Sequence, residues 1–383
     1  MVPFGSDGAR GSMKTGEATR LMSVDVLRGF DMFFITGGAG IVAGLCGALG
    51  CGDCWLARQM AHVPWAGLSH HDTIFPLFLF LAGVSWPFSL AAQVDRGRPM
   101  RLIHRKIIFR MATLVILGMT LGGLLKFNLP FRIPSVLGHI GLSWGFAALL
   151  FMHVRKQHLR VLVIAAILVG YWMLLSFVGA PDAPLGVDHY SREWNVVSWL
   201  DRTVMPNYIY MKGVYDPESL FTVPSGIALA LLGMSAGAVL RSPRLAGGRK
   251  VVLLGVESAG LFLAGLVFVH VLKMPIIKAL WTSSFVLITA SYSLAMLALV
   301  YWIVDVRGFR RWTFYFRVIG MNSIAIYMLV NTNLITAFED YLFGGLVAKS
   351  PVTWNAFAAA IAFQATCWLV LLFLYRKKLF LKV

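Results

Sequence analysis

The chain has 383 residues, of which 58% are hydrophobic and only 13% are charged. A soluble globular chain is typically about 45–50% apolar and about 25% charged, so this composition excludes an ordinary soluble domain. The formal net charge is +17, with 34 Lys and Arg against 17 Asp and Glu, which raises the question of a nucleic-acid partner.

The opening residues 1–20 are polar and glycine-rich. We expect them to form a flexible tail outside the fold, with Met13 as the natural start and without a cleavable signal peptide. Residues 21–383 are predicted to form a single transmembrane domain, because no segment outside the apolar runs reaches the roughly 50 residues that a soluble domain needs.

Ten apolar runs follow one another along the chain. About 20 apolar residues cross the hydrocarbon core of a bilayer as a helix, and helices are expected because lipid cannot satisfy backbone polar groups. The sequence therefore predicts an all-α polytopic membrane protein with about ten transmembrane helices. The runs cover Leu27–Leu45, Thr73–Ala92, Ile107–Leu125, Ser135–Met152, Val161–Val178, Phe221–Leu240, Val251–His270, Ser283–Ile303, Phe314–Thr336 and Trp354–Tyr375.

Basic residues are divided unevenly between the two sides that ten spans would create. The side with both termini holds 25 of the 34 Lys and Arg, and the other side holds 9. Because cytoplasmic loops are enriched in Lys and Arg, both termini are predicted to be cytoplasmic. Topology and anionic lipid headgroups thus explain the charge, and no nucleic-acid partner is predicted.

Three of the four cysteines, Cys46, Cys51 and Cys54, lie in the first external connection. An external location permits a disulfide there. A zinc site is the alternative, but only Cys51 and Cys54 have the spacing of a ligand pair and no second pair follows, so no metal is predicted. Cys367 lies within a span and is expected to be a packing residue.

The segment HVPWAGLSHHDTIF, which begins at His62, carries the strongest indication of a chemical site. Titratable groups at a membrane boundary are costly unless they pair, face water or do chemistry. His62 is a candidate general base, or else an interfacial histidine bonded to a carbonyl. Asp72 is its candidate partner, or else the N-cap of the second span. Trp65 is expected at the headgroup level, and His70 and His71 are expected to be solvated loop residues.

Charged residues beside two other spans are further candidates. Asp25 and Arg28 are three residues apart and can meet on one helical face, either as a simple ion pair or at the mouth of a cytoplasmic anion pocket. Asp216 and Glu218 precede the sixth span, where they cap the helix or recognise sugar hydroxyls or an ammonium group.

Two polar residues in the second half complete the set. Lys278 lies at an external interface, where a snorkelling lysine is the alternative to a site residue. Asn322 lies within the ninth predicted span, and a buried amide there indicates helix–helix contact or a ligand contact.

Seven segments occur in an order that resembles the heparan-α-glucosaminide N-acetyltransferase family and its bacterial transmembrane relatives. They run from about Ser23 to Tyr327 and read SVDVLRG, HVPWAGL, DTIFPLFLFLAGVS, RIPSVLG, YDPESL, PIIKALWTSSF and GMNSIAIY. The resemblance implies transfer of an acetyl group from cytoplasmic acetyl-CoA to the amine of an external amino sugar of the glucosamine type. It also implies a bacterial inner membrane, with the bilayer and the acceptor as partners, a homodimer as a compatible assembly and no metal cofactor.

The resemblance and the charge pattern together suggest a role for each candidate residue. The family's histidine and aspartate fall on His62 and Asp72, so that His62 is expected to take the amine proton while Asp72 fixes its tautomer, with a covalent acetyl-His62 intermediate as the alternative. Substrate binding is predicted for Trp65, Asp216, Glu218, Lys278 and Asn322. Binding of the CoA phosphates is predicted for Arg28, Arg105 and Arg110, with an ordinary positive-inside charge as the alternative for Arg105 and Arg110.

Three positions depart from the family's pattern. A polar residue expected near the end of the first span falls on Ala39, an arginine falls on His139 and an asparagine falls on Ile277. These departures leave two alternatives open, which are a sugar or amino-sugar transporter that uses the same polar cavity and a membrane-embedded binding protein with a degenerate site.

Overall fold

The computed structural model describes residues 21–123, 133–205, 209–210 and 213–381, so the predicted tail of residues 1–20 lies outside the described residues. Within these ranges the protein is built from helices, and its only bridges of the β type join Ala66 to Ile277 and Gly179 to Asn195. The predicted all-α class is confirmed. The α-helices are α1 (Met22–Phe33), α2 (Ala39–Ala48), α3 (Trp55–Gln59), α4 (His70–Asp95), α5 (Met100–Leu121), α6 (Val136–His153), α7 (Gln157–Phe177), α8 (Val196–Val204), α9 (Val223–Arg241), α10 (Gly247–His270), α11 (Ser283–Tyr301), α12 (Thr313–Gly320), α13 (Ser323–Val330), α14 (Leu334–Ala348) and α15 (Val352–Arg376).

Among the described residues, eight helical segments are long and apolar enough to cross a membrane, and a bent pair, α12 with α13, brings the number to nine. Ten spans were predicted. The difference is α5, which contains the described part of the predicted run Ile107–Leu125 but carries Arg105, Lys106 and Arg110 in its first half. These charges make α5 less apolar than the other spans, although 22 residues make it about 33 Å long.

Two predicted spans are broken rather than straight. A π-helical turn, Phe34–Gly38, joins α1 to α2, and Gly37 adopts φ 133°, a conformation that glycine tolerates. α12 and α13 are bent by 71° at a break. The helix α14 follows this pair and leads to the long helix α15.

Glycines let the central helix α4 pack backbone to backbone against α9. A Cβ on Gly83 would lie 2.4 Å from the Ala230 carbonyl oxygen, and one on Gly233 would lie 2.2 Å from the Phe80 carbonyl oxygen. Small residues are the usual means of close helix approach in membranes, where the solvent gives no hydrophobic drive for association. The packing fixes α4 in the bundle, and the candidate site begins at its first turn.

Candidate active site

Three segments that are distant in sequence meet at the start of α4. The loop before α4 pairs with the loop between α10 and α11, because the N–H of Gly67 donates to the Ile276 carbonyl (2.8 Å) next to the Ala66–Ile277 bridge. Ser69 and Asp72 form a capping box at the first turn of α4. These contacts bring the second loop, which carries Lys278, against the first.

His62, Asp72 and Lys278 form one cluster at this junction, which we call the His–Asp–Lys cluster. The His62 Nδ1 lies 2.7 Å from the Asp72 Oδ1, and the Lys278 Nζ lies 3.3 Å from the same oxygen and 3.0 Å from Nδ1. The side chain of Asp72 is 1% exposed, whereas that of His62 is 55% exposed. The structure therefore brings both predicted catalytic residues together and adds the predicted substrate-binding lysine to them.

The hydrogen bonds of Asp72 define which nitrogen of His62 carries the proton. The Oδ2 of Asp72 accepts from the backbone N–H groups of Val63 (3.3 Å) and Ser69 (3.2 Å) and from the Ser69 hydroxyl (2.8 Å). A carboxylate that accepts this many donors is held ionised, so at Oδ1 it must accept from Nδ1–H. The Nε2 lone pair of a neutral His62 then remains on the exposed side of the ring, where a base is useful.

Burial and two nearby carboxylates act in opposite directions on the pKa of Lys278. Burial lowers the pKa of Lys278, while the charge of Asp72, the hydrogen bond to Asp72 and the charge of Glu218 each act to raise it. A half-buried ammonium beside a partly exposed imidazole is a ready donor to a developing oxyanion. Glu218, another predicted substrate-binding residue, is therefore near enough for its charge to act on Lys278.

Asp216 has a different position from Glu218. It is 1% exposed, and its carboxylate accepts the N–H groups of Tyr210 (3.1 Å) and Glu218 (2.9 Å). Its own N–H donates to Asp201, which also accepts the Ser219 hydroxyl at 2.7 Å. The hydrogen bonds of Asp216 thus order the loop that carries Glu218, and sequence reasoning missed Asp201, its buried counterpart.

An aromatic group lies beside the His–Asp–Lys cluster on the same face. The Trp65 indole N–H donates to the Tyr190 carbonyl (2.9 Å), and its ring meets that of Tyr215 at 5.0 Å. The Arg192 guanidinium lies 5.5 Å from the Trp65 ring and donates to the Pro64 carbonyl. Sequence reasoning identified Trp65 but missed Tyr215 and Arg192, which lie in the long segment between α7 and α9.

His70 and His71 belong to the first turn of α4, so the prediction that they are solvated loop residues was wrong. The His71 ring lies 4.4 Å from the His62 ring, and the His70 ring lies 4.5 Å from Phe34 and 6.2 Å from Tyr292. Both histidines are half-buried because Ser69 starts the helix directly before them.

His139, which stands where the family pattern has an arginine, is buried in an aromatic group. Its ring lies 4.5 Å from Trp281 and 5.5 Å from Phe75, and its Nε2 meets the Thr222 hydroxyl at 3.1 Å. Trp281 itself adopts φ 48°, an uncommon conformation for a bulky residue. The substitution of the arginine by His139 therefore replaces a charge by a ring that fits this packing.

The predicted cofactor-binding arginines separate into two kinds. Arg28 donates to the Ser85 hydroxyl on α4 (2.6 Å) and lies 3.9 Å from Asp25, as the sequence spacing predicts. Arg110 lies 4.2 Å above the Trp144 ring, and both arginines line a cavity of about 190 Å³. Arg105 is exposed on α5 and does not line that cavity.

Asn322 lies at the α12–α13 break, where neighbouring residues also line the cavity. Its amide donates to the Leu379 carbonyl (2.9 Å) and accepts the Leu381 N–H (3.1 Å). These two bonds tie the C-terminal segment to the break, and Leu381 itself lines the cavity. The geometry therefore supports a contact within the protein, rather than a ligand contact, for the Asn322 amide.

A second, smaller cavity extends the first along α4 toward the His–Asp–Lys cluster. The two share Phe78, Leu137, Ile140, Ser323 and Ile324 as walls, and the second reaches Phe75. His71, Phe75, Phe78 and Ala82 are spaced so that they share one face of α4. The distance from His71, which touches His62, to Ala82 in the arginine-lined cavity is about 16 Å at the rise of an α-helix.

The fold and the site together define a polytopic membrane protein with a His–Asp–Lys cluster at one end of a buried helix and a basic cavity further along it. No protein-family model matches the chain. Two curated relatives, the heparan-α-glucosaminide N-acetyltransferases of Homo sapiens and Mus musculus, are each 26% identical to it, over 95% and 97% of the chain. The chain is similar to these relatives along nearly its whole length, and it spans 60% and 61% of their own lengths.

Proposed function

We propose that the protein is a transmembrane acyltransferase that moves an acetyl group from acetyl-CoA to the amine of an amino sugar across a bacterial inner membrane. The observation that carries the proposal is the His–Asp–Lys cluster at one end of α4, with Arg28 and Arg110 in a cavity further along the same helix. The relatives named as N-acetyltransferases support the same reaction type.

The donor would enter from the basic end. Arg28 and Arg110 supply guanidinium groups suited to phosphate oxygens, and the side chains between them and Phe75 are largely apolar, which suits the arm of a CoA thioester. The excess of Lys and Arg on the side with the termini supports a cytoplasmic location of this mouth.

The reaction asks little of the protein beyond positioning and proton transfer, because a thioester is already activated. The amine nitrogen attacks the carbonyl carbon, the N–C bond forms and the C–S bond breaks. His62 Nε2 takes the proton that leaves the nitrogen, and the CoA thiolate takes up a proton as it departs. Asp72 holds the imidazole in the required tautomer, and Lys278 donates to the carbonyl oxygen as its charge develops.

The acceptor would bind at the exposed face of His62. Trp65 and Tyr215 offer ring faces for a sugar, and Glu218 offers a carboxylate for a hydroxyl or an ammonium group. The amine of the acceptor must be neutral when it attacks, so a site that contains a base next to the ring faces fits an amino sugar.

The experiment uses the purified full chain in liposomes with labelled acetyl-CoA and a panel of amino sugars. General-base assistance is typically worth about 10²–10⁴-fold, so His62→Ala should lose transfer by that factor. His270→Ala, which changes an exposed histidine at the end of α10, is the matched control and should keep the full rate.

Equal transfer by His62→Ala and the wild type would remove His62 from the mechanism. Uptake of amino sugar into liposomes without any CoA, together with no acetyl transfer, would replace the proposed reaction by transport.

A further inference from the structure

Three cysteines at the end of α2 and the start of α3 converge in space. The chain turns twice between them, because the N–H of Cys51 donates to the Cys46 carbonyl (2.8 Å) and the N–H of Cys54 donates to the Cys51 carbonyl (2.9 Å). The three Sγ atoms all lie within 4.8 Å of one another. Cys46 is buried and Cys51 is exposed, so the group is open to solvent on one side.

The arrangement fits a metal better than a disulfide. A disulfide joins two sulfurs at about 2.05 Å and would leave the third thiol unused. Three sulfurs bound to one ion at about 2.3 Å lie about 3.8–4.0 Å apart, and the 4.8 Å limit on the spacing of this group accommodates that arrangement. Sequence spacing disfavoured a metal because it showed only the pair Cys51 and Cys54, and it did not show that the turn returns Cys46 to them.

The number of ligands selects the kind of ion. Within the described ranges, no carboxylate or imidazole joins the three sulfurs at the same spacing. Soft thiolates select Cu(I), Zn²⁺ and Fe–S clusters, but structural zinc is almost always held by four ligands, so three thiolates favour Cu(I) over zinc. We propose that Cys46, Cys51 and Cys54 form a three-thiolate site that binds one Cu(I) ion, independently of the proposed acetyl transfer.

The site needs its sulfurs as thiolates, and a bound cation deprotonates coordinating thiols outright. Binding should therefore release protons and strengthen with rising pH.

Occupation of the site would also hold the segment that carries His62. The side-chain oxygen of Gln59, at the end of α3, accepts the N–H of His70 (2.9 Å), and the Ala61 carbonyl accepts the Ser69 hydroxyl (2.7 Å). The helix α3 is therefore attached to the cysteines at one end and to the first turn of α4 at the other. A metal bound by the cysteines would therefore limit the movement of the segment that carries His62 beside Asp72.

The test titrates the reduced full chain in detergent with Cu(I), without oxygen, against a colorimetric Cu(I) chelator. We expect one Cu(I) for each chain. Serine in place of Cys46, Cys51 or Cys54 should weaken binding by at least about 10-fold, and Cys367→Ser, the buried thiol control in α15, should leave it unchanged.

A second measurement needs no variant. Iodoacetamide followed by mass spectrometry should show that Cu(I) protects Cys46, Cys51 and Cys54 together. Any one of three results overturns the proposal, namely tighter binding of Zn²⁺ than of Cu(I), unchanged Cu(I) affinity after loss of one of the three thiols, or no protection of the reduced wild type.

Discussion

Replacing Asp72 with Asn keeps the shape of the side chain and removes its charge. The amide oxygen can take the place of Oδ2, where it keeps the donors from Val63 and Ser69. The amide NH₂ then faces His62 and Lys278, which are both donors toward Oδ1 in the native cluster. His62 must present a lone pair at Nδ1 to this group, so its proton moves to Nε2 and the exposed base is lost.

The size of the effect follows from the two roles of the carboxylate. Loss of a correctly oriented general base is typically worth about 10²–10⁴ in rate, or about 3–5 kcal/mol in the activation free energy. Hydrogen bonds to charged groups contribute about 1.5–3 kcal/mol each. Because His62 is 55% exposed and Lys278 is 24% exposed, we expect Asp72→Asn to cost about 2 kcal/mol of stability, near the lower end of that range.

The assay measures acetyl transfer at saturating and limiting acetyl-CoA, with thermal unfolding of the same preparation. We expect kcat to fall by about 10²–10⁴ and KM for acetyl-CoA to stay the same, because the arginine cavity lies further along α4. Asp182→Asn, which removes an exposed carboxylate paired with Arg202 at 2.7 Å, is the control and should keep kcat. A folded Asp72→Asn protein with kcat within threefold of the wild type would refute the reasoning.

Three further predictions test other parts of the structure. Arg110→Gln should raise KM for acetyl-CoA about 10-fold in initial-rate measurements, and the exposed control Arg105→Gln should not; equal effects would contradict a donor site in the cavity. In the reduced, metal-free protein, Cys54 should be alkylated at lower pH than Cys51. The reason is that the lowered pKa of Cys54 populates its reactive thiolate earlier as pH rises. Mass spectrometry that finds the opposite order of alkylation would contradict these pKa directions. Gly29→Ala should destabilise the protein by about 1–3 kcal/mol, because its Cβ would lie 1.8 Å from a backbone oxygen of α12; an unchanged unfolding midpoint in detergent would show that α12 moves away freely.

The His62–Asp72 contact could be predicted because its determinants are local. Ser69 and Asp72 have the spacing of a capping box, and the ten residues between His62 and Asp72 suffice to return the imidazole to the carboxylate. Lys278 joins them across 216 residues, through the backbone contact of Gly67, and nothing in its own segment reveals that pairing. The family resemblance pointed to Lys278 as a site residue but did not indicate this pairing.

The broken helices could not be predicted from hydropathy. The residues around Asn322 are as apolar as those of a straight span, and the break depends on backbone partners in the C-terminal segment, 57 and 59 residues later. Asp31 was missed for a different reason. It is a lone carboxylate in the first apolar run, is 1% exposed, and its oxygens find no hydrogen-bond partner among the described residues; the charge inside the run was the available signal.

The close packing of α4 against α9 prevents α4 from shifting along its axis. Gly83 and Gly233 leave no room for sliding by a turn, since each backbone already touches the other. The separation between the arginines and the imidazole is then a property of the scaffold rather than of the ligand. A carrier whose reactive end and anionic end are joined by too short a link, such as a small acyl phosphate, would not reach both at once, and the protein would discriminate among acyl donors by their reach.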